Sequence, residues 1–445
     1  MAESDIARGI VNAYEKRFPL SKEFHQKFLE VMPGGTTRSL SYFKPYPLHI
    51  EYGKGAYVYT HEGHKLLDVT NSYGALVLGH GDPDVADAIR ASVITGIQFS
   101  APTDTQYEMS KLLCERIPSF DKIRFCNSGT ESTLFALRTA RAYKKRNKIL
   151  KMDGGFHGTH DCVSSSTQKD AAVLGIPKGM VEDVLSVPFN NFELLEEVLI
   201  QNRSDLACVI MEPFLGAGGV IPPKDGYLQF VRELTEKHDI LLIYDEIFSY
   251  RIDTGGAQTF YGVVPDLTTV GKVIGGGLPV GVFGGKSNIM DIYCSVTTPK
   301  PLYHSGTFNG YETALRAGLA TLQKYNAAEV SRLNALGELL HDKLKAGFVE
   351  IGISVEINQI GSLLNIHFHN EEIIDNESAM QSEGELLELL HLSLLNRGIY
   401  ATPRALFILS TPMTEREIEI LADTIIDILR ELKPLIRDKY PRLIC

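Results

Sequence analysis

The sequence predicts an α/β protein in which a mostly parallel sheet is followed by a smaller α+β domain. From about residue 85 to residue 290, short apolar segments alternate with helical patterns, which is typical of βαβ units. From about residue 310 the pattern changes to long helices with a short strand pair near residues 362–368. We therefore expect an N-terminal arm with small-domain strands over 1–75, a large domain over 76–310 and a small C-terminal domain over 311–445. The strands expected in the large domain are centred on Ile123, Ile149, Val209, Leu241, Val270 and Val282.

Local signals place the other elements in chain order. A helical arm over about 5–31 ends at the turn Pro33-Gly34-Gly35, and strands follow over about 48–69. His61-Glu62-Gly63-His64 suits a hairpin turn and is one residue short of a metalloprotease spacing. Gly398 is expected to close one C-terminal helix, and Thr414 with Glu417 predicts a capping box at the start of the last helix.

Composition excludes several classes of function. The chain has 445 residues, 44% of them hydrophobic, and a formal charge of −11 that argues against nucleic acid or an anionic membrane as partner. Its 6 cysteines are dispersed without a C-x-x-C pair, which is typical of reduced thiols in a cytosol. No apolar run approaches the roughly 18 residues of a membrane span, and the polar N-terminus does not resemble a signal peptide. These observations predict a soluble cytoplasmic protein.

Lys272 is the most informative residue of the chain. It ends an apolar, β-branched run that includes Thr269 and Val270, and it opens into three consecutive glycines, Gly275 to Gly277. A lysine in such a setting is partly desolvated, which lowers its pKa and frees the amine to attack an aldehyde. The alternative is an ordinary lysine that extends out of a turn into solvent. The pattern predicts a Schiff-base lysine only if the rest of the site accompanies it.

Asp245 is the second candidate because it ends a continuous apolar strand. The carboxyl ends of parallel strands are where open α/β sheets bind ligands. A carboxylate in this position can hold the ring nitrogen of a pyridine cofactor protonated, although a strand-end or helix-capping aspartate is the plainer interpretation.

The segment after the strand at Ile123 predicts an anion site. Asn127-Ser128-Gly129-Thr130 forms a tight turn before a helix over 132–146, and Ser128 with Glu131 fits a capping box. Free backbone N–H groups and the positive end of the helix dipole would then face a phosphate.

Six motifs together identify the chain as similar to the class III aminotransferases. They are Asn127-Ser128-Gly129-Thr130-Glu131, Phe156-His157-Gly158, Met211-Glu212-Pro213, Asp245-Glu246, Gly271-Lys272-Val273-Ile274 with its three glycines, and His304-Ser305-Gly306-Thr307-Phe308. The chain resembles the branch that holds glutamate-1-semialdehyde aminomutase and the β-amino-acid (β-phenylalanine-type) aminotransferases. The resemblance implies pyridoxal 5′-phosphate (PLP), fold type I, and a homodimer with shared active sites.

The resemblance also implies a role for each matching residue. Lys272 would bind the cofactor aldehyde and shuttle a proton, and Asp245 would pair with the pyridinium nitrogen. The phosphate would be held by Ser128, Gly129 and Thr130, and by Thr307 of the other subunit. The remaining cofactor contacts are expected from Phe156, His157, Glu212 and Ile247. Phe156 stands where the family usually has tyrosine, so stacking survives while the phenol hydrogen bond is lost.

Two arginines are expected to set the substrate. Arg38 matches the arginine that binds the donor carboxylate in β-amino-acid aminotransferases, and Arg404 matches the one that takes the 2-oxo acid carboxylate. A guanidinium suits this task because its planar fork pairs with a carboxylate through two hydrogen bonds. Tyr73 is a further expected substrate contact.

Departures from the aminomutase branch favour a transaminase. Ala217 replaces an asparagine near the cofactor, and the segment between Pro403 and Thr414 lacks the aminomutase glutamate. The apolar residues 406–410 are expected to line a pocket for an aryl or alkyl group. The sequence therefore predicts transfer of an amino group from a β-amino acid to a 2-oxo acid such as 2-oxoglutarate. The alternatives are glutamate-1-semialdehyde 2,1-aminomutase and a PLP-fold protein without catalysis.

No metal site is predicted. His157, His160 and Cys162 lie close together in the sequence, but a fourth ligand at suitable spacing is missing. Gly281-Val282-Phe283-Gly284-Gly285-Lys286-Ser287 resembles a P-loop but has one residue too few between its glycines, so a plain strand is expected there.

Overall fold

A computed structural model describes residues 5–163 and 174–445. It confirms the α/β fold with a mostly parallel sheet. Seven strands form the main sheet in the order β4-β10-β9-β8-β7-β5-β6. Their bounds are β4 Lys122–Cys126, β5 Lys148–Met152, β6 Val184–Val187, β7 Leu206–Met211, β8 Leu241–Asp245, β9 Leu267–Gly271 and β10 Gly281–Gly285.

The strand directions follow from the connections. Strands β6, β5, β7, β8 and β9 run parallel, because helices return the chain between them. β10 is antiparallel to both β9 and β4, because a short glycine-rich turn leads directly from β9 into β10. All six predicted strands are present, and β6 is an additional edge strand. The P-loop-like segment is strand β10, as expected.

Helices cover the main sheet and join its strands. Those of the large domain are α4 Pro83–Thr95, α5 Asp104–Arg116, α6 Gly129–Lys144, α7 Lys178–Glu182, α8 Phe192–Asn202, α9 Tyr227–Lys237, α10 Ala257–Tyr261 and α11 Ser287–Met290. Strands β7, β8 and β9 are buried along their whole length, as expected for central parallel strands.

The two ends of the chain meet in a smaller four-stranded sheet. The arm consists of α1 Asp5–Arg17 and α2 Pro19–Val31, and β1 Ile50–Lys54, β2 Tyr57–Thr60 and β3 Lys65–Asp68 follow it. β13, Ile399–Tyr400, pairs in parallel with β3. The antiparallel pairing of β2 with β3 confirms the hairpin predicted at Gly63.

The C-terminal part is helical around a three-stranded sheet. The sheet has the order β11-β12-β14, with β11 Glu356–Ile360, β12 Leu363–His367 and β14 Leu406–Ile408. The helices are α12 Glu312–Lys324, α13 Ala327–Ile351, α14 Asn376–Met380, α15 Gly384–Asn396 and α16 Glu415–Lys439. Glu417 accepts hydrogen bonds from the backbone and the hydroxyl of Thr414 at 2.9 and 2.6 Å, so the predicted cap at the start of α16 is confirmed.

One sequence expectation about the C-terminal part is wrong. Phe407 and Ile408 of β14, which pairs with β12, and the following Leu409 have zero exposure in the core, so the segment does not form the wall of an open substrate pocket. A continuous apolar run is typical of a strand covered on both faces, and local sequence cannot distinguish such a strand from a pocket wall.

One left-handed turn lies at the edge of the small sheet. The short helical element α3, Asn71–Gly74, has positive φ throughout, at 45° for Asn71, 51° for Ser72, 55° for Tyr73 and 89° for Gly74. Each non-glycine residue in this region costs about 1–2 kcal/mol. Asp68 offsets part of this cost, because its Oδ1 accepts the N–H groups of Thr70 and Asn71 at 2.8 and 2.9 Å.

Gly318 lets α12 pack directly on the turn that carries Lys272. A Cβ at this position would lie 2.0 Å from the carbonyl oxygen of Ile274. Helix and turn therefore touch through their backbones, and the position of Lys272 depends on this contact.

We expect Gly318→Ala to lower the free energy of unfolding by about 1–3 kcal/mol, because the added methyl group must displace buried backbone. Urea unfolding followed by circular dichroism measures this change. The matched control is Gly9→Ala in α1, where a Cβ meets nothing within 4 Å and the expected effect is a gain of about 0.5–1 kcal/mol. Equal stabilities for the two variants would contradict the packing argument.

Candidate active site

The candidate site lies where the carboxyl ends of β4, β5, β7, β8 and β9 approach the antiparallel start of β10. Asp245 ends β8 with both carboxylate oxygens engaged. Oδ1 accepts the Ile247 N–H at 3.1 Å and the Thr269 hydroxyl at 3.0 Å, and Oδ2 lies 2.8 Å from Nδ1 of His157. The carboxylate is therefore fixed in direction, as expected for a group that must pair with one ring nitrogen.

His157 is a buried hydrogen-bond partner of Asp245. Burial lowers the pKa of His157, and the hydrogen bond and charge of Asp245 oppose this shift. Among the described residues, the buried Nε2 of His157 has no hydrogen-bond partner. The contact at Nδ1 therefore fixes the orientation of both side chains.

Lys272 lies immediately after β9, and its backbone is left-handed with a φ of 48°. Burial lowers its pKa to about 8, while Glu212 and Asp245 oppose the shift. Its Nζ lies 4.5 Å from the ring centroid of Phe248, a cation–π distance. The side chain is only partly exposed, in agreement with the desolvation expected from the sequence.

Glu212 follows β7 and is almost completely buried. Burial, together with the negative charge of Asp245, raises its pKa to about 7. Its carboxylate accepts the Phe156 N–H at 3.1 Å, the Gly216 N–H at 3.1 Å and the Ala217 N–H at 3.4 Å. Glu212 thus holds the backbone of two loops at the site, a set of contacts that the sequence did not reveal.

The predicted anion turn is present at the start of α6. Ser128 is the N-cap residue and its hydroxyl accepts the Glu131 N–H at 3.2 Å. The first-turn N–H groups of Gly129 and Thr130 have no acceptor within the helix. The predicted capping box is only half correct, because the Glu131 carboxylate accepts from the Asn127 backbone at 2.8 Å and not from Ser128. The helix also begins three residues earlier than expected.

Two glycines make room for Ile247 beside this turn. A Cβ on Gly129 would lie 3.1 Å from Ile247 Cδ1, and one on Gly271 would lie 3.0 Å from the same atom. Ile247 therefore forms an apolar floor between the anion turn and the Lys272 turn. Phe156 is half exposed on the neighbouring loop, with 50% of its surface accessible.

The substrate candidates cluster around Tyr73. The Arg38 guanidinium lies 5.5 Å from the Tyr73 ring centroid. Arg404 Nη2 donates to the Ala217 carbonyl at 2.6 Å, and burial lowers the pKa of Arg404. The charges of both arginines act on the Tyr73 hydroxyl. A cavity of about 230 Å³ borders Arg38 and Tyr73, with apolar walls that include Leu40, Phe43, Val58 and Leu76.

Thr307 lies apart from this cluster. It is exposed on a loop after the main sheet, where its carbonyl accepts a hydrogen bond from Gln98 Nε2 at 2.8 Å. Within the described residues no group of three or more His, Cys, Asp or Glu side chains is arranged to hold a metal ion. Among those residues, no helix combines the length and apolar character needed to cross a membrane.

Phe248 is the site residue that sequence reasoning missed. Its ring contacts Lys272, and a Cβ on Gly74 would lie 3.6 Å from its Cε2. It links the lysine to the Tyr73 turn. An aromatic residue three positions after the strand-end aspartate was the available signal.

The arrangement suits a phosphorylated pyridine aldehyde. It combines a desolvated amine at Lys272, a directed carboxylate at Asp245, a helix N-terminus at Ser128 and an apolar floor at Ile247. Each of these groups matches one chemical feature of PLP: aldehyde, ring nitrogen, phosphate and ring face.

Comparisons with known proteins agree with this chemistry. Residues 41–409 match the family described as aminotransferase class-III. Glutamate-1-semialdehyde 2,1-aminomutase of Natranaerobius thermophilus is 37% identical over 417 residues, which cover 91% of this chain and 96% of the relative.

Two solved structures are also similar. An omega-transaminase from Sphaerobacter thermophilus has a TM-score of 0.89 at 36% identity, covering 93% of this chain and 98% of the other. A β-phenylalanine aminotransferase from Variovorax paradoxus has a TM-score of 0.91 at 32% identity, covering 97% and 99%.

Replacing Lys272 by methionine removes the amine at nearly constant volume. We expect turnover to be abolished and the cofactor-free protein to gain about 1–3 kcal/mol of stability at pH 7, because a desolvated ammonium is removed. The folded-state pKa of about 8 lies below the ordinary value of 10.5, so the unfolded chain binds more protons between these values. The advantage of the variant should therefore shrink as pH rises from 8 to 10.5.

Urea unfolding of both proteins across this pH range measures the effect. The exposed Lys111, with 59% of its side chain accessible, provides the control, and Lys111→Met should leave activity unchanged. A Lys272→Met enzyme with normal turnover would rule out Lys272 as the reacting amine.

From the site geometry and the family match together, the chain belongs to the class III aminotransferases and is a PLP-dependent enzyme of fold type I.

Proposed function

We propose that this enzyme transfers the amino group of a β-amino acid with an aryl or alkyl side chain to a 2-oxo acid such as 2-oxoglutarate. The observation that carries the proposal is the pair of arginines around Tyr73. Within the described chain, neither Arg38 nor Arg404 forms an ion pair with a carboxylate of the protein. Two unpaired guanidinium groups beside one site favour substrates that bring carboxylates with them.

The number of carboxylates supports a transaminase over the alternative. Glutamate-1-semialdehyde carries one carboxylate. In the transaminase reaction a β-amino acid brings one carboxylate to the site, and 2-oxoglutarate then brings two. An enzyme with two cationic positions can bind both ends of a dicarboxylate acceptor. The second candidate, the 2,1-aminomutase, is favoured by relatives such as the Natranaerobius thermophilus protein.

The apolar part of the donor has space beside Arg38. The cavity next to Arg38 and Tyr73 measures about 230 Å³, and a cavity of about 150 Å³ already accommodates a benzene ring. Leu40, which lines this cavity, has 51% of its surface exposed and is therefore accessible to a substrate. The cavity walls, and not segment 406–410, thus support an aryl or alkyl side chain.

The chemistry assigned to the residues follows from their contacts. PLP, when bound, withdraws electrons from the carbon that bears the substrate nitrogen. We assign to Lys272 the removal of the proton from that carbon, since its lowered pKa makes the neutral amine available near pH 8. Asp245 keeps the ring nitrogen protonated, and His157 holds the carboxylate in place. Ser128, Gly129 and Thr130 bind the phosphate through the start of α6.

Steady-state assays with two substrate sets test the proposal. With 3-amino-3-phenylpropanoate and 2-oxoglutarate we expect glutamate to form, and with glutamate-1-semialdehyde alone we expect no 5-aminolevulinate. The reverse outcome would establish the aminomutase. An enzyme inactive with both sets would reject both candidates while leaving its family intact.

Arg404 offers a site-specific arm of the same experiment. Arg404→Leu removes charge-assisted hydrogen bonds worth about 1.5–3 kcal/mol, so we expect the KM for 2-oxoglutarate to rise about 10- to 150-fold. The control is Arg430→Leu on the exposed face of α16, where Arg430 pairs with Asp427 and Glu350. An unchanged KM in Arg404→Leu would remove this residue from the acceptor site.

We further propose a homodimer in which Thr307 reaches the phosphate site of the partner. Thr307 is exposed and lies in a region with exposed apolar side chains, namely Tyr303, Phe308, Phe99, Ile97 and Tyr107. Exposed apolar side chains that lie together favour an interface with another protein chain. Sedimentation equilibrium should give a dimer. Thr307→Val should weaken PLP binding while the protein stays dimeric. A monomeric active enzyme would contradict the proposal.

A further inference from the structure

Lys151 is a buried lysine that the mechanism above does not use. It lies near the carboxyl end of β5 with zero exposure. Its Nζ donates to the Val163 carbonyl at 2.7 Å and to the Gly155 carbonyl at 3.2 Å. Among the described residues it forms no ion pair with a carboxylate. Burial of an ammonium without a paired carboxylate costs several kcal/mol unless its hydrogen bonds and surroundings compensate.

The two acceptors of Lys151 belong to one loop. Gly155 precedes Phe156 and His157, and Val163 lies six residues after His157. The same loop is held from its other side, since the Thr133 hydroxyl donates to the His157 carbonyl at 2.6 Å and Glu212 accepts the Phe156 N–H at 3.1 Å. Lys151 therefore joins the two ends of the segment that carries two of the predicted cofactor contacts.

The charge of Lys151 also acts on the site. Burial lowers its pKa to about 8, with Asp153 and Glu212 opposing the shift. Its charge contributes to the lowered pKa values of His157 and His160 on the facing loop, while Asp245 on β8 pulls both in the opposite direction. Among the described residues, Lys272 lies close to Glu212 as well and is a further charged group on this side of the site.

A purely structural lysine does not account for both features. An apolar residue would fill the space without the cost of burying an ammonium, and water or a hydroxyl could satisfy a loop carbonyl. A cation here does something further. Burial is the largest cause of the lowered pKa of His157, and the charge of Lys151 adds to it.

We propose that Lys151 is a positioning residue of the cofactor site, which ties the two ends of the Phe156–His157 loop through the Gly155 and Val163 carbonyls and places a cation against that loop. The inference rests on the proposed roles of His157 and Asp245 toward PLP. It is independent of which amino donor the enzyme uses.

Three variants separate the two parts of this role. Lys151→Met removes donor and charge, Lys151→Gln keeps a donor without charge, and Lys151→Arg keeps both. Lys148→Met is the matched control. Lys148 begins the same strand, and its Nζ donates to Asn202 Oδ1 at 3.0 Å instead of to the Phe156–His157 loop. Each protein is studied as cofactor-free enzyme titrated with PLP and as the reconstituted enzyme.

The first readout is the dissociation constant of PLP, measured by fluorescence. We expect a rise of at least about tenfold in Lys151→Met, equivalent to one hydrogen bond of about 1.4 kcal/mol, and a smaller rise in Lys151→Gln. Lys148→Met should match the wild type. The unfolding temperature of each cofactor-free variant shows whether it folds.

The second readout is the pH midpoint of the visible absorbance of lysine-bound cofactor. Removal of a nearby cation favours protonated forms, so the midpoint should rise in Lys151→Met and in Lys151→Gln and stay near the wild-type value in Lys151→Arg. A purely structural role would not move this midpoint upward in Lys151→Gln.

The possible outcomes are distinct. Wild-type affinity and midpoint in folded Lys151→Met would overturn the proposal. If Lys151→Met does not fold, an unshifted midpoint in Lys151→Gln overturns it, and an upward shift supports it. Because no amino donor is present in either measurement, failure of the β-amino-acid assay and failure of this proposal are told apart.

Discussion

The fixed orientation of the Asp245 carboxylate is the constraint on which the rest of the site depends. A carboxylate at the end of a central strand keeps one direction only if both of its oxygens are engaged by neighbours. The Ile247 N–H, the Thr269 hydroxyl and the His157 ring meet this requirement. The other ionisable groups are arranged around that carboxylate. Lys272 is desolvated enough to be available as an amine, and Glu212 is shifted toward its protonated form by the same burial and by Asp245 itself. Burial thus moves the pKa values of two different residue types toward each other, because it lowers that of Lys272 and raises that of Glu212.

Backbone geometry supplies the other half of the site. Glycines at 129 and 271 admit Ile247, and Gly318 admits the Lys272 turn against α12. Lys272 and Tyr73 both occupy the left-handed region, and both belong to the candidate site. Strain of this kind persists only where surrounding contacts over-determine the backbone. Here the contacts are visible, since Asp68 accepts two N–H groups of the Tyr73 turn and Asn71 Nδ2 donates to the Ile408 carbonyl at 2.6 Å. The same hydrogen bond joins the turn to β14, which is why segment 406–410 matters to the site although it lines no pocket.

Much of the fold and the centre of the site could be predicted from sequence because their signals are local. A strand ending on Asp245, a lysine opening into glycines and a Ser128 N-cap are each encoded within ten residues. What could not be predicted depends on distant parts of the chain. Lys151 stands in an apolar strand beside Lys148, and nothing in that stretch tells which lysine is buried. The left-handed turn has only one glycine, so its conformation follows from Asp68 and β14 and not from local preference. The Glu131 carboxylate accepts the N–H of Asn127 and not that of Ser128. Residue spacing alone does not decide between these neighbouring N–H groups.

The left-handed turn at 71–73 has a consequence for how substrate range can diversify in such a scaffold. Few amino acids tolerate that backbone, so the wall presented by Tyr73 is conformationally restricted and accepts little mutational drift. The stretch around Arg38 and Leu40 is exposed and is free of this restriction. Mutation can therefore change the N-terminal stretch beside the cavity more freely than the wall formed by Tyr73.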